Sequence, residues 1–432
     1  MYDLHSAADK ALSALTSGGA DGAQCLARFT ETHEFNVDGG RFSLFRTLFD
    51  NFLSLTALCG GRKGSSSINR FDDEAIAQTA EGCLAIARSG ESDPAWEFAS
   101  DEVSLHTCDG SPEADLDLLF DRTKELMDTI TEKHPTILME QMIVTHKKRH
   151  SVYKNTHGVC HETLDGDYQI ELMFSAHEGE KSSSFFGSYV CTDKLECPFI
   201  ELGSLEEDLA NVEKQLDTTP LEGKFEGVAV FPPSSLSSFL YSILDNFASD
   251  STILDGTSPW KDKIGQSVAD SRITLSAAPR HESVVCGERF TGEGYPSVDY
   301  DIIKDGILEN FMISRYVANK TGLAMAKNTS SALVMAAGDV AYADMIAGIE
   351  RGIIVGRFSG GDPGTGGDFS GVAKNSFLIE NGKIVCALSE TMISGNLGDL
   401  LKNVYAISKE TVRDGAGELP YAAFGGVTVS GK

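Results

Sequence analysis

The sequence predicts an α+β protein of two domains: an N-terminal antiparallel sheet with helices over residues 1–222, and a strand-rich, barrel-like domain over 223–432. Three observations carry this expectation. A chain of 432 residues exceeds one ordinary core, so two domains of roughly 200 residues each are expected. Its 43 glycines stand against only 12 prolines, which signals many turns rather than disordered linkers. Finally, Asp305-Gly306 and Asn381-Gly382 each sit between apolar runs, in YDIIKDGILENFM and SFLIENGKIVCAL. Both are two-residue hairpin signals, because a type I′ turn needs positive φ at both central positions.

The elements follow in chain order. Leu4, Ala7, Ala8, Ala11, Leu12 and Leu15 recur at helical spacing through the first eighteen residues, which stop at Ser17-Gly18-Gly19. Residues 23–60 hold β-rich runs such as FNVDGGRFSLF and LSLTALC, and GGRKGSSSINRF is expected to break the pattern ahead of a second helix. In that helix Ala75, Ile76, Thr79, Ala80, Cys83, Leu84 and Ala87 share one face, Asp72 or Asn69 can cap the start, and Ser89-Gly90 marks the end. A third helix is expected over 114–134. After it, TILMEQMIVTHKKRHSVYKNTHG reads as a strand pair running to a turn at Asn155 to Gly158. YQIELMFSAHEG and SSSFFGSYVC show the period of two expected of a half-exposed antiparallel sheet. SLEEDLANVEKQLD is a charged amphipathic helix, and TTPLEGKFEG is the hinge into the second domain, which opens on the strand GVAVFPP.

Charge and cysteine usage narrow the function classes. Against 36 basic residues stand 64 acidic ones, a formal charge of -28 that repels nucleic-acid phosphates and anionic lipid. No direct nucleic-acid partner is expected. Nine cysteines, an odd number, are scattered singly without a C-x-x-C pair, which is reduced, cytosolic usage. The start, MYDLHSAADKALSAL, has no apolar signal region, and no run of eighteen apolar residues follows. A cytoplasmic, membrane-free protein is the expectation.

The motifs with chemical potential are few. GRFSGGDPGTGGDFSGVAKNSFLIENGKI, residues 356–384, does not read as a P-loop, since none of its glycines is followed by Lys and then Ser or Thr. It leads into a hairpin rather than a helix, which opposes a dinucleotide fold. Two readings stay open for Gly360, Gly361, Gly364, Gly366 and Gly367: a wall that an extended peptide approaches closely, or a connector between strands. Four His-Glu dipeptides (His33-Glu34, His161-Glu162, His177-Glu178 and His281-Glu282) lack a second His one turn on. The least poor metal pair is His281 with Cys286, possible ligands that Glu282 would join in a self-sufficient protease. His157 and His161 are four apart, but Gly158 places them in a strand-turn context, where a surface loop is the expected setting. No G-x-S-x-G nucleophile elbow occurs.

Several blocks, taken in order, resemble the TldD/PmbA family, once called modulators of DNA gyrase. They are GGRKGSSSINRFDDEAIAQTAEGCLAIARSGESDP, GVAVFPPSSLSSFLYSILDNF, GEGYPSVDYDIIKDGILENFMIS, the glycine stretch itself and ETMISGNLGDLLKNV. The resemblance implies a two-subunit zinc protease. A TldD-type chain carries H-E-x-x-x-H on a helix early in the second domain and a further cysteine ligand near the carboxyl terminus; the PmbA/TldE-type partner lacks them. Here the matching helix, SLSSFLYSILDNFASDS, has no His and no Glu, and no cysteine follows Cys386. The resemblance therefore implies a non-catalytic subunit without its own metal. It would work with a zinc-bearing TldD-like partner on peptides or unfolded protein and form a homodimer when alone. The five glycines would lie near the passing peptide. The rival readings are the self-sufficient metallopeptidase, and a non-proteolytic modulator of gyrase or of a toxin-antitoxin pair.

Overall fold

Residues 22–59 build a long hairpin: strands β1 (Gly22–Asp38) and β2 (Arg41–Cys59), joined by Gly39-Gly40 at φ of 55° and 73°. The computed structural model describes residues 3–100, 103–361, 363–389 and 391–431. Ahead of the hairpin, α1 (Leu4–Ser17) starts on Asp3, whose carboxylate accepts from the Ser6 N–H.

GGRKGSSSINRF does not break the sheet. Its Arg62–Ile68 forms β3, paired antiparallel with Leu53–Cys59 of β2. The small side chains make this possible, because α2 (Asp73–Ser89) lies directly on the strand. A Cβ on Gly64 would stand 2.3 Å from the Cys83 carbonyl oxygen and 2.4 Å from the Ala87 nitrogen. The buried face of α2 is the expected one, Ala75 through Ala87, and Asp72 is its cap, accepting from the Ala75 N–H at 3.0 Å.

A second correction concerns the long segment after α3 (Leu116–Lys133). In place of a strand pair it is one 19-residue strand, β5 (Ile137–Asn155), paired with β1 on one side and with β6 (Cys160–Glu178) on the other. The cationic run in its middle is met by acids rather than by a turn. Lys148 reaches Glu113, and the Arg149 Nε–H donates to Asp165 at 2.6 Å. The turn does fall where expected: the Asn155 side-chain oxygen accepts from the N–H groups of His157 and Val159. Among the described residues the first sheet has eight strands in the order β3-β2-β1-β5-β6-β4, where β4 is His106–Gly110 and runs parallel to β6; β7 (Lys181–Ser182) and β8 (Phe186–Thr192) also pair with β6. Helices α1 and α2 cover one end of its core face, α3 and α4 (Leu205–Glu213) the other.

The second sheet has 14 strands among the described residues. At its centre lies the strand Glu418–Ser430, antiparallel to β10 (Lys224–Phe231). The link between the sheets contributes β9 (Thr218–Thr219), which pairs with Ala387 and Leu388. Three pairings in this sheet are parallel and the rest antiparallel. Asp305 and Gly306 (φ 47° and 77°), like Asn381 and Gly382 (49° and 74°), take the positive angles that a type I′ turn requires. Helix α5 (Pro233–Ala248) buries Leu236, Phe239, Leu240, Ile243, Leu244 and Phe247 in the largest core.

Side chains of the first sheet meet a loop of the second half at residues 292–294. The Tyr153 hydroxyl donates to the Glu293 carbonyl at 2.9 Å, and the His161 Nε2 bonds the Gly294 carbonyl at 2.8 Å while its Nδ1 accepts from the Leu105 N–H. His161 is thus fully buried rather than on a surface loop. The strand-turn context holds, but the sheet carries the ring inward, where both its nitrogens are satisfied.

Candidate substrate-binding cleft

Helix α5 opens on Pro232-Pro233. The second proline occupies a first-turn position where a missing N–H costs nothing, and the Pro232 carbonyl accepts from the Leu236 N–H at 2.8 Å. With the apolar stripe turned inward, the opposite face presents Ser234, Ser237, Ser238, Tyr241, Ser242 and Asp245. Three hollows follow this face. The first, about 230 Å³, lies between α5 and the first sheet, with Ser188, Tyr189, Ser204 and Asp208 on its far wall. The second, about 490 Å³, runs past Tyr241 and Ser242 to Met312 and Thr329. The third, about 310 Å³, is bounded by Ser238, Ser242, Phe358, Phe369 and Leu397. The first two share Tyr241 and the last two share Ser242, so together they make one trough along the helix.

The ionisable group that stands out in the trough is Asp208. Burial pushes its carboxyl up to about 7, against the pull of the Ser188 and Ser204 hydroxyls, which donate to it at 2.6 and 2.9 Å. A carboxyl near neutrality in a cleft can hold or release a proton at working pH. Next to it, Glu207 accepts the Tyr421 hydroxyl, and Tyr421 packs against Tyr342 with ring centroids 4.3 Å apart. These residues escaped the sequence reading, which takes SLEEDLANVEKQLD as a charged amphipathic helix and singles out none of its acids. One signal was present: Asp208 sits between Leu205, Leu209 and Val212 at helical spacing, on the edge of the buried stripe.

The glycine stretch is a hairpin of two strands, Arg357–Gly360 and Asp368–Lys374, with Asp362 outside the described residues. Gly360 and Gly361 line the third hollow. Gly360 faces Gly371 across the pair, and the Phe358 ring fills the space that a Cβ on either would need. Gly367 has φ of 88°, and a Cβ there would stand 2.6 Å from the Phe247 ring. Gly361, Gly364 and Gly366 face open space. The five glycines thus divide: close packing accounts for Gly360 and Gly367 and leaves the other three unexplained.

Donor chemistry decides what metal this region can hold. Helix α5 offers hydroxyls and Asp245, with no imidazole, so it does not fit the paired-His zinc motif. Of the weaker candidates, His281 Nδ1 bonds the Ser283 hydroxyl at 2.8 Å and faces Glu418 at 4.0 Å. Cys286, at φ 49°, falls with Asp165 and Asp167 in a group whose ligand atoms lie within 4.8 Å of one another and which does not include His281. Both carboxylates of that group are already engaged by Arg149, and burial together with those carboxylates pushes the Cys286 thiol up to about 12. The arrangement is an ion-pair network between the two halves of the chain rather than a set of free ligands.

Residues 226–431 match the family model for the PmbA/TldA metallopeptidase C-terminal domain. The chain is 23% identical to the metalloprotease PmbA of Escherichia coli O157:H7, over 92% of this chain and 89% of that one. A crystal structure from Bacteroides thetaiotaomicron, of a protein designated a candidate modulator of DNA gyrase, superposes with a TM-score of 0.86 at 23% identity, covering 99% of each chain. TldE from Thermococcus kodakarensis superposes with a TM-score of 0.83 at 18% identity, over 98% of this chain and 99% of that one.

Proposed function

This chain belongs to the TldD/PmbA family through residues 226–431, and on that premise we propose that it is the PmbA/TldE-type subunit of a cytoplasmic zinc peptidase, binding extended peptide without cutting it. The observation that carries the reading is the outward face of α5. On the helix where the catalytic type of subunit holds its histidines, this chain has serines and a tyrosine lining a trough. Hydroxyls on one wall and Phe358, Phe369 and Leu397 on the other suit a peptide, whose main chain needs hydrogen-bond partners and whose side chains need apolar contact. Zinc would come from a TldD-like partner, and this chain would shape the chamber and hold substrate. Free cysteines throughout the described residues support a reducing compartment.

Gly366→Val supplies the test. Its side chain would enter open space at the mouth of the hairpin, so the fold should tolerate it. Mixed with a TldD-type chain, the variant should assemble normally yet cleave peptide several-fold more slowly. Unchanged cleavage would remove the glycine hairpin from the substrate path. Metal analysis bears on the subunit assignment: the chain purified alone should carry well under one zinc per molecule. Stoichiometric zinc lost on Cys286→Ser would establish the self-sufficient peptidase instead.

A further inference from the structure

The dipeptide His161-Glu162 has a second role, carried by Glu162 and unconnected with the trough. Neighbouring residues of a strand point to opposite faces, so His161 enters the contact with residues 292–294 while Glu162 emerges opposite Val152, on the face that α1 covers. Three imidazoles gather around it there. His150 Nε2 lies 2.7 Å from Glu162 Oε1, while His5 Nε2 and His106 Nδ1 lie 3.2 and 3.4 Å from Oε2. The four residues come from four elements, each placed by its own pairing or packing. His106 opens β4 directly opposite Glu162 in the parallel pair, and His150 stands two residues before Val152 on the same face of β5. His5 lies in the first turn of α1, a helix fixed on β5 by core contacts with Val152 and by Lys154, whose Nζ reaches Asp9 at 2.7 Å.

Charge separates this group from the network at Cys286. There Arg149 engages both carboxylates, whereas among the described residues no lysine or arginine pairs with Glu162. The hydrogen bond from His150 holds Glu162 below the usual carboxylate range, so it is ionised at neutral pH. Its counter-charge then comes from a protonated imidazole or from a bound cation. A neutral imidazole that keeps its proton on the nitrogen away from Glu162 offers the other nitrogen as a lone-pair donor. Three such donors and one carboxylate suit tetrahedral zinc, whose bonds of about 2.0–2.2 Å set neighbouring ligand atoms about 3.3 Å apart. The contacts from His5 and His106 already have that spacing. Closing around an ion requires the carboxylate to draw back and the rings to follow, which is open to side chains that are all partly exposed, His106 to 62%. We propose that His5, His106, His150 and Glu162 bind a divalent transition-metal ion of the zinc type, tying the first turn of α1 to β4, β5 and β6.

The inference is independent of what the trough binds, and its test reads binding and melting rather than cleavage. An ion at so exposed a site leaves during purification with chelator, so it is supplied afterwards. Zn²⁺ titrated calorimetrically into the untagged, chelator-treated full chain should fill one saturable site and raise the melting temperature by several degrees, since an ion held only by the folded state stabilises it. Co²⁺ in its place should give the visible absorption of a four-coordinate ion without the near-ultraviolet band of a thiolate ligand. His5→Ala, His106→Ala, His150→Ala and Glu162→Gln should each weaken binding by about tenfold or more, with circular dichroism of the metal-free chain unchanged. Cys286→Ser should bind Zn²⁺ as the wild type does. No saturable binding, a thiolate band with Co²⁺, or binding that survives the loss of any one of the three histidines would overturn the proposal. A melting temperature that responds to pH across the imidazole range but not to Zn²⁺ would also overturn it, and would leave the group as proton-linked pairing alone.

Discussion

Helices α2 and α5 are built alike and end up in different surroundings. Each has one regular apolar stripe pressed on a sheet and a polar face turned away from it. The outer face of α2 is exposed apart from contacts of Asp73 with Lys10 and of Arg88 with Gly18, whereas around α5 rise α4 and β8 of the first sheet on one side and the glycine hairpin on the other, turning the polar face into the wall of a trough. The difference lies in what stands opposite each helix. It also sorts the acids nearby. Asp72, at the exposed start of α2, is held below the usual carboxylate range by the Ala75 N–H and by Arg70, while Asp208, enclosed beside α5, is pushed the other way by burial.

The largest expected effect is at the α2 end. Gly64→Val would drive a branched side chain into the backbone of α2, and urea unfolding should show a loss of more than about 4 kcal/mol or no folded protein at all. A near-neutral result would mean that α2 does not lie on β3 as described.

Next come paired truncations of the two stripes. Ile76→Ala on α2 and Leu240→Ala on α5 both empty fully packed sites and should each cost about 2 to 5 kcal/mol by chemical denaturation. If only one of them destabilises, the helices are not equivalent in packing and the comparison fails.

Asp208 should show itself in the pH dependence of stability. Its folded pKa, about 7, lies above the ordinary 3.8, so the folded state binds more protons than the unfolded state between those values. Stability should therefore fall as pH rises through that window, with the full penalty present above about pH 7. Asp208→Asn should remove this slope and raise stability at pH 8 by about 2 kcal/mol. A variant whose pH profile matches wild type would mean that the carboxyl is hydrated in solution.

The smallest contrast separates two adjacent glycines. Gly367→Val must adopt a positive φ against the Phe247 ring and should lose about 1 to 3 kcal/mol, while Gly366→Val should lose under about 0.5. Equal melting temperatures for the two would mean that the hairpin is rearranged around Gly367.

Much of this was legible in the chain. Helical spacing marked the buried faces of α1, α2 and α5 residue by residue, because that signal depends only on which side of a 3.6-residue period meets a core. Local turn chemistry placed both type I′ hairpins and the turn after Asn155 for the same reason: the constraint lies within a few residues. Where the reading failed, a distant partner had overridden the local signal. Lys148 and Arg149 belong inside a strand only because Glu113, Asp165 and Asp167 arrive beside them, and the small residues of β3 pair as a strand because α2 needs their lack of bulk.

The sequence by itself determined the periodicities, the hairpin turns, the acidic balance and the lack of any histidine on α5, all of which follow from residue types and their spacing. Only the tertiary structure decided that the polar face of α5 would be enclosed, that Asp208 would be drawn into the wall of a cleft and that His161 would bridge the two halves of the chain. Among the described residues it also left the outer edge of β2 over residues 41–52 without a pairing strand. Enclosure, burial and edge pairing depend on segments far apart in the chain coming to lie side by side, and nothing in the local residue order records which segment that neighbour will be.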